Sequence, residues 1–129
     1  MPLDPLHLPD SVLEFLQERH LATLTTLRQD GSPHVVPVGF SYDSGTATVR
    51  IITFAGSQKT LNAARGGRAA VSQVDGGRWL TLEGSVSLTS DADDVRRAVE
   101  GYSARYREPK QRPDRVAIEI SVDRIMGRA

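Results

Sequence analysis

The chain has 129 residues, with 16 lysines and arginines against 16 aspartates and glutamates and no cysteine. That length suits one domain over residues 1–129 with a sizeable core. The charge balance leaves no overall electrostatic footprint for nucleic acid or an anionic membrane, and the lack of thiols excludes disulfides, thiolate metal sites and cysteine nucleophiles.

Residues 1–9 carry prolines at positions 2, 5 and 9 and the acidic Asp4, with no basic start and no apolar run. They read as an extended arm and not as a signal peptide. No segment is apolar for long enough to span a bilayer, so the expected compartment is the cytoplasm. Ser11-Val12-Leu13-Glu14 has the pattern of a capping box; it predicts a helix with Val12, Leu13, Phe15 and Leu16 on its apolar face, running to about Arg19. Residues 21–27 have strand composition. Gln29-Asp30-Gly31-Ser32 then turns the chain into a second run with His34, Val36, Val38, Phe40 and Tyr42 on one face. Pro37 cannot donate to a ladder, which predicts an edge or a bulge at that point. His34 shares its face with valines and reads as a half-buried core histidine. Asp43-Ser44-Gly45 turns into a third strand, residues 47–54, β-branched and apolar on both faces.

Gly56 breaks that strand. Ser57 is a good N-cap, Leu61 and Ala64 continue a short helix, and Gly66-Gly67 stops it. Lys59 therefore falls in the first helical turn, where a cation opposes the helix dipole by about 0.3–1 kcal/mol. Helix-start N–H groups, a hydroxyl and an ammonium together make a phosphate-type anion site; the other reading is a solvated surface lysine.

Residues 68–74 form a fourth strand, which Asp75-Gly76-Gly77 turns into a fifth, residues 78–88. In the fifth, Leu80, Leu82, Val86 and Leu88 alternate with Trp79, Thr81, Glu83, Ser85 and Ser87. The single tryptophan thus stands on the polar face, where it either covers a subunit interface or walls a pocket for a flat ring. Ser90-Asp91-Ala92-Asp93 caps a long helix with Val95, Ala98, Val99, Tyr102 and Tyr106 as its buried stripe and arginines on the wet side; Pro109 and Pro113 end it. Val116, Ile118, Ile120 and Val122 alternate in a last strand. Six strands joined mostly by hairpins, with helices after the third and fifth, predict a mainly β fold: a small antiparallel barrel, closed or nearly so.

The usual catalytic signatures are missing. Gly56-Ser57-Gln58-Lys59-Thr60 lacks the glycine spacing of a nucleotide phosphate loop, His7, His20 and His34 have no metal-ligand spacing, and there is neither a nucleophile elbow nor a dinucleotide fingerprint. No metal ligand and no catalytic side chain is assigned.

Gly31-x-Pro33 with Pro37 and Phe40, the strand ending at Thr53, Ser57-x-Lys59 with Asn62, and Arg78-Trp79 running to Glu83-Gly84 resemble the pyridoxamine 5′-phosphate oxidase-like split β-barrel superfamily across nearly the whole chain. Within it, the runs Phe15-Leu16-Gln17-Glu18-Arg19-His20-Leu21-Ala22, Ser32-Pro33-His34-Val35-Val36 and Ser72-Gln73-Val74-Asp75-Gly76 are most similar to the coenzyme F420-dependent biliverdin reductases. The resemblance implies a six-stranded split barrel with flanking helices, a homodimer, and cofactor sites at its interface. It implies that Val36, Pro37 and Val38 lie along the ring system, and that Arg50, Ile51, Ile52, Thr53, Ser57, Gln58 and Lys59 hold the ring edge and the phosphate. Arg78 and Trp79 of the partner subunit would close the pocket. Arg50 would bind an anion or simply snorkel at a strand end.

Two departures from the FMN oxidases of this fold stand out. Gln58 occupies the place of an arginine that many of them carry before the phosphate lysine, and Ile125-Met126-Gly127-Arg128 stands where they use a tryptophan and an arginine over the substrate. The function that the resemblance implies is F420H2-dependent hydride transfer from C5 of the deazaflavin to biliverdin, giving bilirubin. The alternatives are an FMN-dependent oxidoreductase and a non-enzymatic flavin- or tetrapyrrole-binding protein.

Overall fold

The structure is a computed structural model that describes residues 3–129. Its elements are α1 (Asp10–Gln17), β1 (Ala22–Leu27), β2 (Pro33–Val38), β3 (Ser41–Asp43), β4 (Thr48–Phe54), α2 (Gln58–Ala64), β5 (Arg68–Asp75), β6 (Arg78–Thr89), α3 (Ala92–Arg105) and β7 (Arg115–Arg128). All strands belong to one antiparallel sheet in the order β2-β1-β5-β6-β7-β4-β3. β2 and β3 are therefore the two edges of that sheet, yet only Gly39 and Phe40 separate them in the chain. A seven-stranded sheet whose opposite edges are joined by two residues has to curl into a cylinder. The barrel is split where β2 leaves off and β3 begins. The run read as one strand over residues 34–42 is thus continuous in chain but changes partners, which makes the predicted six strands seven.

Why the run breaks there is visible in its hydrogen bonds. The Phe40 N–H donates to Tyr106 Oη at 3.2 Å and the Phe40 carbonyl accepts from Arg105 Nη1 at 2.8 Å, so α3 side chains take over from a ladder. Pro37 sits on edge strand β2, as its missing donor requires.

Side chains directed inward from every long strand fill the barrel. Leu24, Val49, Ile51, Val71, Leu80, Leu82, Ile118, Ile120 and Ile125 are fully buried, and Phe15 of α1 and Phe40 belong to the same core. Between β6 and β7 the register shifts at Glu83/Gly84, leaving Asp123 as the extra residue of a bulge. A Cβ at Gly84 would stand 1.8 Å from the Ser121 carbonyl, so only glycine fits the crossing.

Two local expectations need correction. α1 starts at Asp10, not behind a Ser11 cap: the Pro9 carbonyl accepts from Val12 and Leu13, no side chain caps the helix, and it ends at Gln17. Arg105 is not on the wet side of α3. It is buried, with Nε donating to the Glu18 carbonyl, Nη1 to Phe40 and Nη2 to Gln73 Oε1 at 2.7–2.8 Å.

Among the described residues, no element packs on one broad face of the sheet. The register lines up Pro37, Thr23, Ser72, Thr81 and Met126 in one row, and Val35, Thr25, Ala70, Glu83 and Arg124 in the next. Val74, Trp79 and Arg128 form a third row.

Candidate functional site

The split in the barrel leaves a cavity of about 500 Å³ between β2 and β4, roofed by α3 and the segment that follows it. Pro37, Val38 and Gly39 form one wall, Ile51, Ile52, Thr53 and Phe54 the other, and Tyr102 the roof. The wall side chains are apolar apart from that of Thr53. Gly39 is needed here, because a Cβ would come within 3.0 Å of the Tyr102 ring and 3.1 Å of Tyr106.

Set into that apolar surface is one polar atom. Thr53 Oγ1 is buried and finds no hydrogen-bond partner among the described residues. A buried hydroxyl left unmade costs about 1–3 kcal/mol, and a ligand with a polar edge removes the penalty.

The rim is cationic. Lys59, Arg107, Lys110, Arg112 and Arg115 all line the cavity, against the single carboxylate of Glu108. Two of them flank the half-exposed Phe54 ring, Lys59 Nζ at 5.5 Å and Arg112 Cζ at 4.4 Å from its centroid. Burial pushes the Lys59 ammonium below its ordinary pKa, as expected for a cation without a counterion.

Of the residues expected at a site, Pro37, Val38, Ile51, Ile52, Thr53 and Lys59 stand on this cavity. Val36 shares the inward face of β2 with Val38 but is part-buried against the core and does not line the cavity. Ser57 is the N-cap of α2: its Oγ takes the Thr60 N–H at 3.4 Å and also meets the Thr60 hydroxyl, which in turn donates to the Phe54 carbonyl. Its hydroxyl thus holds Lys59 at the helix start. Gln58 Nε2 donates to Asn62 Oδ1, and Asn62 Nδ2 to Thr26 Oγ1, tying α2 to β1. Arg50 lines a separate surface hollow, where it pairs with Asp43 at 3.0 Å and Glu119 at 3.4 Å.

Arg78 and Trp79 lie elsewhere on the same chain. Arg78 bridges Glu18 and Asp75 and stacks 4.4 Å over Phe15. Trp79 stands on the uncovered face opposite Val74 and Arg128, 38% exposed. His34 is half-buried on β2, and its Nδ1 has no partner among the described residues.

Sequence reasoning missed the cations after α3. Residues 107–115 were read only as the end of a helix, although Arg107, Lys110, Arg112 and Arg115 crowd within nine positions. It also missed Tyr102 as a roof, because a residue on a buried stripe and one lining a cavity look alike in periodicity.

Comparison with known proteins shows the family. The family model described as pyridoxamine 5′-phosphate oxidase matches residues 8–128. The F420H2-dependent biliverdin reductase of Mycobacterium tuberculosis is 56% identical over 95% of this chain and 89% of its own. Among solved structures, one named F420 reductase superposes with a TM-score of 0.72 at 25% identity, covering 92% of this chain and 98% of that one. A conserved hypothetical protein from Mycobacterium tuberculosis reaches a TM-score of 0.78 at 21% identity over 98% and 88% of the two chains, which shows the shared fold.

Proposed function

The chain belongs to the pyridoxamine 5′-phosphate oxidase family, and from that premise we propose that it is an F420H2-dependent reductase of a biliverdin-like tetrapyrrole. The observation that carries this reading is the cavity at the split, whose apolar walls, one orphaned hydroxyl and cationic rim match a flat heterocycle with a polar edge and an anionic arm. When bound, the reduced deazaflavin supplies the hydride that reduces the bilin.

This chain's residues would do the rest by position and charge. Pro37 and Val38 would lie along the ring and Ile51 and Ile52 would back one face of it, so that water is excluded there while the other face stays open to the bilin. Thr53 would meet a polar atom of the ring edge. Lys59, with Lys110, Arg112 and Arg115 around Phe54, would hold the phosphodiester and the acidic tail beyond it. Gln58 is engaged with Asn62 and adds no charge, which favours the less charged phosphodiester of F420 over the compact dianion of FMN.

We further infer a homodimer. The uncovered sheet face carries the exposed Val35, Val74 and Trp79, and Pro37 belongs both to that face and to the cavity wall. A second copy seated there would bring its Arg78 and Trp79 toward the cavity. Among the described residues no helix is long and apolar enough to cross a membrane. The charged, membrane-impermeant cofactor supports a cytoplasmic location.

Titrating the apo-protein in parallel with F420 and FMN, read by Trp79 fluorescence, tests the cofactor. The reading expects F420 to bind the tighter. FMN binding at least tenfold tighter, a difference of about 1.4 kcal/mol, would leave only the fold standing.

A further inference from the structure

A second hollow of about 340 Å³ adjoins the main cavity and shares Tyr102 and Arg107 with it; Arg19, Leu21 and Tyr106 complete its lining. Its floor is aromatic, the Tyr102 and Tyr106 rings lying 4.9 Å apart between centroids. Its cations differ from the others in the chain. The remaining arginines each hold a carboxylate, hydroxyl, amide or carbonyl oxygen. Arg19 and Arg107 hold none among the described residues, and both line this annex.

We propose that the annex seats a carboxylate arm of the substrate, with Arg19 and Arg107 as its counterions, so that the enzyme selects acidic over neutral tetrapyrroles. This rests on the function proposed above. The cations fall into two groups joined by an apolar middle: Lys59, Lys110, Arg112 and Arg115 gather near Phe54 at the end of β4, and Arg107 with Arg19 flanks the tyrosines. The first group already serves the anionic parts of the cofactor. A bilin stacked in the main cavity carries its propionates on flexible arms at the edge of its rings, and the annex has room for an arm but not for the four-ring body. Guanidinium groups pair with carboxylates in a two-bond geometry, and Tyr102 and Tyr106 offer faces to the adjoining pyrrole edge.

The test compares biliverdin with its dimethyl ester on the wild type and on R19Q/R107Q, together with F420 affinity by titration. Both arginines are exposed, so the double variant should fold. The proposal expects the wild-type KM to be about tenfold or more lower for the diacid, the scale of one charge-assisted pair, and the variant to lose that preference with F420 affinity unchanged. Equal use of diacid and ester by the wild type overturns it. So does a variant that binds F420 more weakly while its KM for biliverdin stays the same, because the annex then belongs to the cofactor tail. If the wild type oxidises no F420H2 with either compound, the proposed function fails. Equilibrium binding of diacid and ester to the F420-loaded protein then decides the annex, equal affinities overturning it.

Discussion

Arg105 donates from Nη1 to the carbonyl of Phe40 at 2.8 Å, and that bond fixes the place where the barrel splits. The guanidinium is buried and has no carboxylate partner among the described residues; it is satisfied also by the Glu18 carbonyl, Gln73 Oε1 and the ring faces of Phe40 and Tyr106. Burial lowers its pKa from the ordinary arginine value, consistent with a charge held only by neutral dipoles. Replacing Arg105→Met should cost about 3–5 kcal/mol, because three oxygens lose their donor at once. The midpoint of urea unfolding checks it. A loss under about 1 kcal/mol would mean that the clamp is dispensable.

Lys59→Ala should weaken F420 binding by about 1.5–3 kcal/mol without altering the unfolding midpoint. The pH dependence has a definite sign. The ammonium is charged at neutral pH, and because burial lowers its pKa it loses the proton at a lower pH than an ordinary lysine near 10.5. Anion affinity should therefore be complete at neutral pH and fall on the alkaline side, and Lys59→Ala should remove that fall. Titrations across pH on both proteins decide.

Glu18 ties the α1–β1 link to the start of β6. Its carboxyl is held down to about 2 from an ordinary 4.5, first by hydrogen bonding to Arg78 and then to His20. A depressed carboxylate adds stability that is present above its unfolded pKa and is lost as pH falls through the folded one, so the window runs from about 4.5 to about 2. The acid limb of a stability profile should be shallower in Glu18→Gln over that window. Identical limbs would show that the exposed bridge contributes nothing.

Val74→Glu places a charge on the uncovered face beside Trp79. A second copy docked there would have to desolvate that charge, so the variant should sediment as a monomer where the wild type is a dimer, with Trp79 emission shifted to the red. A dimeric variant would place the interface on another face.

Much of the fold was legible because burial on one side writes itself as alternation: β6 reads directly from Leu80, Leu82 and Val86, and β7 from Val116, Ile118, Ile120 and Val122. The turn chemistry around Gly31 and Gly76 marked the hairpins. The split did not show, since the periodicity of residues 34–42 is the same whether a strand keeps its partner or exchanges it at Gly39. Arg105 was misplaced because propensity puts arginine in water, and only the arrangement of three carbonyl-type oxygens from distant segments makes its burial tolerable. At the site, the strand residues and Lys59 could be anticipated. Tyr102 and the cations of residues 107–115 could not, because their convergence depends on where α3 lands.

The account turns on hydride transfer from F420H2 to a bilin. The most direct measurement follows formation of oxidised F420 under anaerobic conditions, with and without biliverdin, alongside the appearance of bilirubin. Oxidation that requires biliverdin and yields bilirubin in equal amount is the predicted result. F420H2 that stays reduced with biliverdin present, or is oxidised at the same rate without it, would contradict the account.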